Sequence, residues 1–258
     1  MKSKSKTFST LWLYFQSIIG IIIFLILWHL LAVDTGLVST PWETLQRFFT
    51  IWSEPVAKVS MVEHVLVSLG RVLLALLLAC VIGIPLGVAL GWNPKFRAVV
   101  KPIFETIRPV PPIAWIPLFT LWMGTGEVPR VLLVFIGVLM PIVTNATVGV
   151  EMVPALNIDV ARIFGADKRK ILFDIVLPSS TPAIMAGIRV ALGSGFAVLL
   201  AAEMLSARSG IGFLITQGSD YNDLELSIVG MVMLGIFGAL FTVAFDYIER
   251  KLCPWLKR

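Results

Sequence analysis

Residues 159–178 read DVARIFGADKRKILFDIVLP, a polar passage between two long apolar segments. It carries Arg162, Lys168, Arg169 and Lys170 against Asp159, Asp167 and Asp174. So charged a stretch does not lie in hydrocarbon. Helical order is nevertheless written into it. Asn157 or Asp159 suits the cap of a first short helix, Gly165 its stop, and Asp167 the cap of a second helix ending near Pro178. The expectation is a helix-turn-helix lying on a membrane surface. The competing reading is a solvated loop whose charge serves orientation alone.

Composition supports the membrane setting. Of 258 residues, 57% are hydrophobic and 14% charged, whereas soluble domains carry about 25% charged residues. These values identify an integral membrane protein, and no stretch between apolar runs is long enough to build a soluble domain. The formal net charge of +5 does not indicate nucleic acid, because the basic residues sit in small groups at the ends of apolar runs rather than on one patch. Cys80 and Cys253 match neither a metal site nor a disulfide framework.

Outward from 159–178, the runs Val128–Val150 and Ala183–Ala202 read as the fourth and fifth of six spans. A polar tail, Met1–Thr10, precedes the first, Leu11–Val33, which exceeds the usual signal-peptide core of about 7–15 residues. Trp12, Tyr14 and Trp28 suit its interfaces. Thr40, Pro41 and Glu43 then form a capping-box start, and Leu45, Phe48, Phe49 and Trp52 recur at helical spacing, predicting a short amphipathic helix on the membrane surface. The second span, Val65–Trp92, contains Gly83, Pro85, Gly87 and Gly91, small residues that permit close helix packing. A polar link with Lys95, Arg97 and Lys101 follows. The third span begins near Ile107. Its prolines, Pro109, Pro111, Pro112 and Pro117, each remove a backbone donor, so it is expected to be broken and packed against protein or a water-filled path. Leu226–Tyr247 is the sixth span.

Six spans place both termini on one side, with fifteen of the 21 Lys and Arg: Lys2, Lys4, Lys6, Lys95, Arg97, Lys101, Arg108, Arg162, Lys168, Arg169, Lys170, Arg250, Lys251, Lys257 and Arg258. The other side holds Arg47, Lys58, Arg71, Arg130 and Arg208, and Arg189 lies within span five. Both termini and residues 159–178 are therefore expected in the cytoplasm.

The chain has no G-x-x-x-x-G-K-[ST] phosphate loop, no H-E-x-x-H and no Ser/His/Asp arrangement, so it is not expected to be an enzyme. Charges near the membrane are the next candidates. Arg71 and Glu203, both near outer span ends, are placed to pair. Arg189 has Glu105, a bundle partner or lipid headgroups within reach. Thr144 and Asn145 read as interhelical hydrogen-bonding groups. The broken third span and the small residues of span five suggest a gate between the 108–117 and 189–203 segments across a dimer, with inner and outer states.

The spacing Gly165, nine residues, Ile175, one residue, Leu177-Pro178 resembles the EAA loop of permease subunits of bacterial ABC importers. The E-A-A triplet reads Asp159-Val160-Ala161 here, keeping the acid and the last alanine. RPVPPIAWIPLFTLWMGTGE (108–127), LPSSTPAIMAGIRVALG (177–193) and AAEMLSARSGIGFLI (201–215) are similar to permeases of the nitrate/sulfonate/taurine group. That resemblance implies an all-α, six-helix membrane protein with the type I ABC importer permease fold. It also implies a single permease domain over 1–258 with a cytoplasmic coupling loop at 151–182, located in the bacterial inner membrane as a multi-pass protein. The partners it implies are a second permease copy, two ABC ATPase subunits and an extracytoplasmic substrate-binding protein, with membrane lipid around them and no nucleic acid. ATP and Mg would be bound by the ATPase, and no cofactor by this chain. The solute would be a small anion or zwitterion such as taurine, an alkanesulfonate, nitrate or bicarbonate. ATPase coupling falls to Asp159, Ala161, Arg162, Gly165, Ala166, Asp167, Lys168, Leu177 and Pro178. The pathway or gate falls to Arg108, Pro109, Pro112, Trp115, Pro117, Arg189, Ser194, Gly195 and Glu203. The alternative function class is an ATP-independent channel or scaffold, which would need no ordered docking loop.

Overall fold

A computed structural model describes residues 2–36 and 38–253; Lys257 and Arg258, counted in the charge asymmetry, lie outside them. The described chain is 86% helical, without strands. In order the helices are α1 (Lys2–Thr35), α2 (Pro41–Ser53), α3 (Met61–Trp92), α4 (Pro94–Ile107), α5 (Ile116–Met123), α6 (Glu127–Glu151), α7 (Ala155–Ile163), α8 (Lys168–Ile171), α9 (Leu177–Ser206), α10 (Ile211–Asp220) and α11 (Leu224–Leu252). Five helical stretches are long and apolar enough to cross a membrane: within α1, α3, α6, the α8–α9 stretch and α11. The third expected span is the exception. Residues 112–123 form a 3₁₀ turn, Pro112–Trp115, followed by α5, and twelve helical residues reach only about 18 Å at 1.5 Å each. The prolines break this segment as their missing donors require.

Several boundaries differ from expectation. The polar tail is helical from Lys2, since propagation adds one bond per residue to a helix already nucleated. The link after Trp92 is helical too: Asn93 accepts from the backbone N–H of Lys95 and Phe96 and starts α4. Helix α10 lies between the expected fifth and sixth spans. The second coupling helix does not end near Pro178. A π turn over Leu172–Val176 carries α8 directly into α9, with the Leu177 N–H donating to the Leu172 carbonyl. This wider turn, just ahead of the ring, lets Pro178 sit in the first turn of α9 rather than break a helix.

The chain divides into two compact units. One contains α1, α2 and the 214–231 segment. Its α2 starts at the expected capping box, Thr40 N–H to Glu43 Oε2 at 2.8 Å and Glu43 N–H to Thr40 Oγ1 at 3.3 Å. The Thr40 backbone donor holds the exposed Glu43 carboxyl below its ordinary range. Arg47 on α2 pairs with Asp223 at 2.6 Å. Trp42, Leu45, Phe49 and Trp52 are exposed, the apolar face of an interfacial helix.

The other unit is a core of α3, α6 and α9. Glycines set its spacing. A Cβ on Gly87 would lie 2.6 Å from Ala146 Cβ, and one on Gly91 2.6 Å from Val150 Cβ, so α3 and α6 pack backbone to backbone. Between α6 and α9 the exchange is reciprocal: Gly137 lies against Val198 and Gly149 against Ala183, while Gly187 lies against Asn145 and Gly195 against Val138.

Candidate functional site

The coupling turn is built from its caps. Helix α7 begins after Pro154 rather than at Asn157 or Asp159, because proline's fixed φ suits a helix start; Asp159 instead pairs with Arg162 one turn on, at 3.0 Å. Gly165 ends α7 at φ +79°, with its N–H bonded to the Arg162 carbonyl and the Ala166 N–H to the Ala161 carbonyl. These paired bonds form a Schellman stop, for which glycine in the left-handed region is the favoured residue. Asp167 then caps α8 through the Lys170 N–H at 2.8 Å. The turn is therefore fully bonded, yet its tip is apolar and bare: Ile163 is 83% and Phe164 85% exposed. Neither side chain is among the coupling residues expected from the sequence.

The expected gate residues fall into different settings. Trp115, at the break, packs against the core, and its 3₁₀ turn touches α6 and α9 of the same chain. Arg108 pairs with Glu105 at 3.4 Å, and both are exposed, as is Pro109. Pro112 approaches Gly137, and Pro117 sits in the first turn of α5. Arg189 meets Asp246 at 2.6 Å and Glu249 on α11, so of the partners open to it the bundle supplies the pair and Glu105 does not. Ser194 and Gly195 face α6 within the chain. The Ser194 hydroxyl has two carbonyls in reach, Ala191 on its own helix at 3.0 Å and Gly137 across the interface at 3.1 Å, and the second is the carbonyl whose helical donor Pro141 removes. The face of α9 left free carries Ala186, Val190, Gly193 and Ala197, one helical stripe of small residues.

Glu203 lies in a buried ionic node. Its side chain is 0% exposed, and Arg71 is 3% exposed. Arg71 Nη1 donates to Glu203 Oε1 at 2.6 Å and to the Ser209 carbonyl at 2.9 Å. Its Nε and Nη2 grip Glu127 in a fork at 2.7 and 2.6 Å, and Arg130 also donates to Glu127. The Ser68 hydroxyl donates to Glu203 at 2.7 Å and accepts the Ile211 N–H at 2.8 Å. The Gly212 N–H completes the carboxylate, and the Gly210 N–H bonds His64 Nδ1 at 3.0 Å. The expected Arg71–Glu203 pair is present, and it clasps the 207–212 link onto α3, α6 and α9. His64, Ser68 and Glu127 were missed as members. The signal was available, since 64, 68 and 71 share one face of a helix.

The family model for the binding-protein-dependent transport system inner membrane component matches residues 83–258. The chain belongs to this family. The taurine transport system permease protein TauC of Escherichia coli is 33% identical to this permease over 216 residues, 83% of this chain and 78% of TauC. The nitrate import permease protein NrtB of Synechocystis is 28% identical over 242 residues, 92% of this chain and 88% of NrtB. A chain of the inward-facing MetNI methionine ABC transporter has the same fold, with TM-score 0.64 and 21% identity over 74% of this chain and 95% of that one. The permease thus has the type I importer fold and is an ABC importer permease of the nitrate/sulfonate/taurine type, a multi-pass protein of the inner membrane.

Proposed function

We propose that the permease forms the solute pathway of an ATP-driven importer and takes its power stroke from a separate ATPase through the α7–α8 turn. The exposed Ile163 and Phe164 beside the bonded Gly165 stop carry this reading. Two large apolar side chains on a polar, membrane-surface turn mark a partner's groove, and the Schellman stop presents them rigidly. The partner is an ABC ATPase holding ATP and Mg, two copies serving two permeases, with Arg162, Lys168 and Asp159 at the rim of the contact. The solute is a small anion or zwitterion of the taurine, nitrate or bicarbonate kind, delivered by an extracytoplasmic binding protein. Its pathway runs along the free small-residue stripe of α9, and both termini lie in the cytoplasm.

The test is ATP hydrolysis by the reconstituted complex, with and without loaded binding protein. Gly165→Asn keeps a residue tolerant of the left-handed region but adds bulk, whereas Gly165→Val strains the stop as well. Both are expected to lower stimulated hydrolysis while the helices insert normally, and Phe164→Ala to weaken copurification of the ATPase. Unchanged stimulation in all three variants would sink the coupling assignment. Cysteines at Lys168 and Ser219 test orientation, the first labelling only from the cytoplasm and the second only from outside.

A further inference from the structure

Flanking the coupling tip, a recess of about 470 Å³ is lined by Trp92, Asn93, Pro94, Lys95, Arg162, Lys168 and Ile171. Three of these side chains are cations and none is an anion. Arg162 shares its charge with Asp159, and Asp167, next to Lys168, has an oxygen engaged in capping. Lys95 and Lys168 form no ion pair among the described residues. Such convergence of unpaired cations on one cavity is the chemistry of a phosphate-type site.

The surroundings select the source of that phosphate. Trp92 ends the apolar span α3, the position of an interfacial anchor. Lys95, Val99, Ile103 and Ile107 recur every four residues along α4, and all four are exposed. One helical stripe thus runs from a cation at the recess into an apolar face left exposed among the described residues. That arrangement matches a headgroup in the recess and acyl chains along the stripe. We infer that the recess between the start of α4 and the α7–α8 turn holds the headgroup of an anionic phospholipid, with its phosphodiester on Lys95, Lys168 and Arg162. The inference rests on the proposed orientation, which puts this face at the cytoplasmic leaflet.

The experiment uses the full chain extracted from vesicles of phosphatidylcholine mixed with phosphatidylglycerol. Native mass spectrometry counts the phosphatidylglycerol retained, and inorganic phosphate is titrated separately. Each cation near a membrane surface contributes about fivefold in affinity, so Lys95→Gln is expected to retain phosphatidylglycerol about fivefold more weakly and Lys95→Glu about 25-fold. Arg250→Glu, a cation on α11 outside the recess, serves as the charge control and is expected to lose markedly less than Lys95→Glu, since its charge acts on the leaflet and not on a lipid held in the recess. Size exclusion and circular dichroism confirm that each variant is folded. Retention by Lys95→Glu at the wild-type level, or an equal loss in Arg250→Glu, overturns the site. Saturable inorganic phosphate binding without retained phosphatidylglycerol overturns the lipid assignment. ATPase copurification is read independently, so a failure here is distinguishable from a failure of the coupling reading.

Discussion

Removing either end of the Arg71–Glu203 pair should be among the most destabilising single changes open to this permease. Both side chains are almost wholly buried, and the carboxylate takes donors from Arg71, Ser68 and the Gly212 backbone. Arg71→Met would leave that carboxylate without its countercharge, and truncating one partner of a buried pair costs about 3–5 kcal/mol. Glu203→Gln should fall at the lower end of that range, about 3 kcal/mol. Arg71 keeps its fork to Glu127, but the new amide turns a donor toward either Gly212 or Arg71. Glu127 is the internal control. Its side chain is 60% exposed, so solvent screens the lost charge and Glu127→Gln should cost no more than about 1 kcal/mol. The double variant Arg71→Met/Glu203→Gln replaces an ion pair by neutral groups, and its cost should fall short of the sum of the singles by about 2–3 kcal/mol. Equilibrium unfolding in mixed detergent micelles measures all four variants. Additivity within about 0.5 kcal/mol, or Glu127→Gln matching Glu203→Gln, would refute the account of the node.

Three further outcomes are expected. Gly210→Ala should destabilise by more than about 1–3 kcal/mol, because φ is +127° and the added Cβ would fall 2.5 Å from the Glu203 carboxylate, joining a clash to backbone strain; thermal unfolding in detergent reads it. Ser194→Ala should cost about 1 kcal/mol by leaving the Gly137 carbonyl unbonded, and Pro141→Ala in that background should restore part of the loss, because an alanine at that position supplies the missing N–H. The same thermal assay decides, and a second loss of equal size in the double variant would count against it. The lowered carboxyl of Glu43 gives the α2 capping box a defined pH dependence. Its contribution is full above the ordinary glutamate range and fades as pH falls through the lowered folded value, so protection of the 40–44 amides, taken relative to their intrinsic exchange rate at each pH, should fall only at acid pH. Glu43→Gln should abolish that dependence.

Much of this architecture was legible because membrane insertion imposes simple rules. The apolar runs marked the long helices, the prolines of 109–117 announced the broken segment, and Gly165 with Asp167 announced the coupling turn. The misreadings share a cause. Lys95, Arg97 and Lys101 made 94–107 look like a link, yet Asn93 caps a helix there, with Arg97 and Lys101 one turn apart on one face and Lys95 at the start of the apolar stripe. Pro178 looked like a stop because proline usually is one, but the π turn before it moves the ring out of conflict. At Ser194 and Gly195, small residues announced a close approach without saying which helix approaches. That choice is made by tertiary contacts, here the Gly137 carbonyl and Val138 of the same chain.

The placement of these contacts bears on how a push at the coupling turn travels. Ile171 before the π turn and Val176 at its end are buried in the same core as α6, so α8 cannot swing as a free lever without unpacking both. Beyond the turn, α9 is locked to α6 by reciprocal glycines and Ser194, and its far end is tied to α3 through Glu203 and Arg71. Sliding α9 alone would break close-packed contacts along most of its length, and packed interfaces of this kind switch between discrete arrangements rather than deform smoothly. Displacement at Gly165 is therefore expected to carry α3, α6 and α9 as one block, leaving the free stripe of Ala186, Val190, Gly193 and Ala197 as the surface that moves past its surroundings. A disulfide between cysteines at Gly137 and Val198, on α6 and α9, should then leave transport intact. Loss of transport on oxidation, with recovery on reduction, would show that α9 moves against α6 and that the block is not rigid.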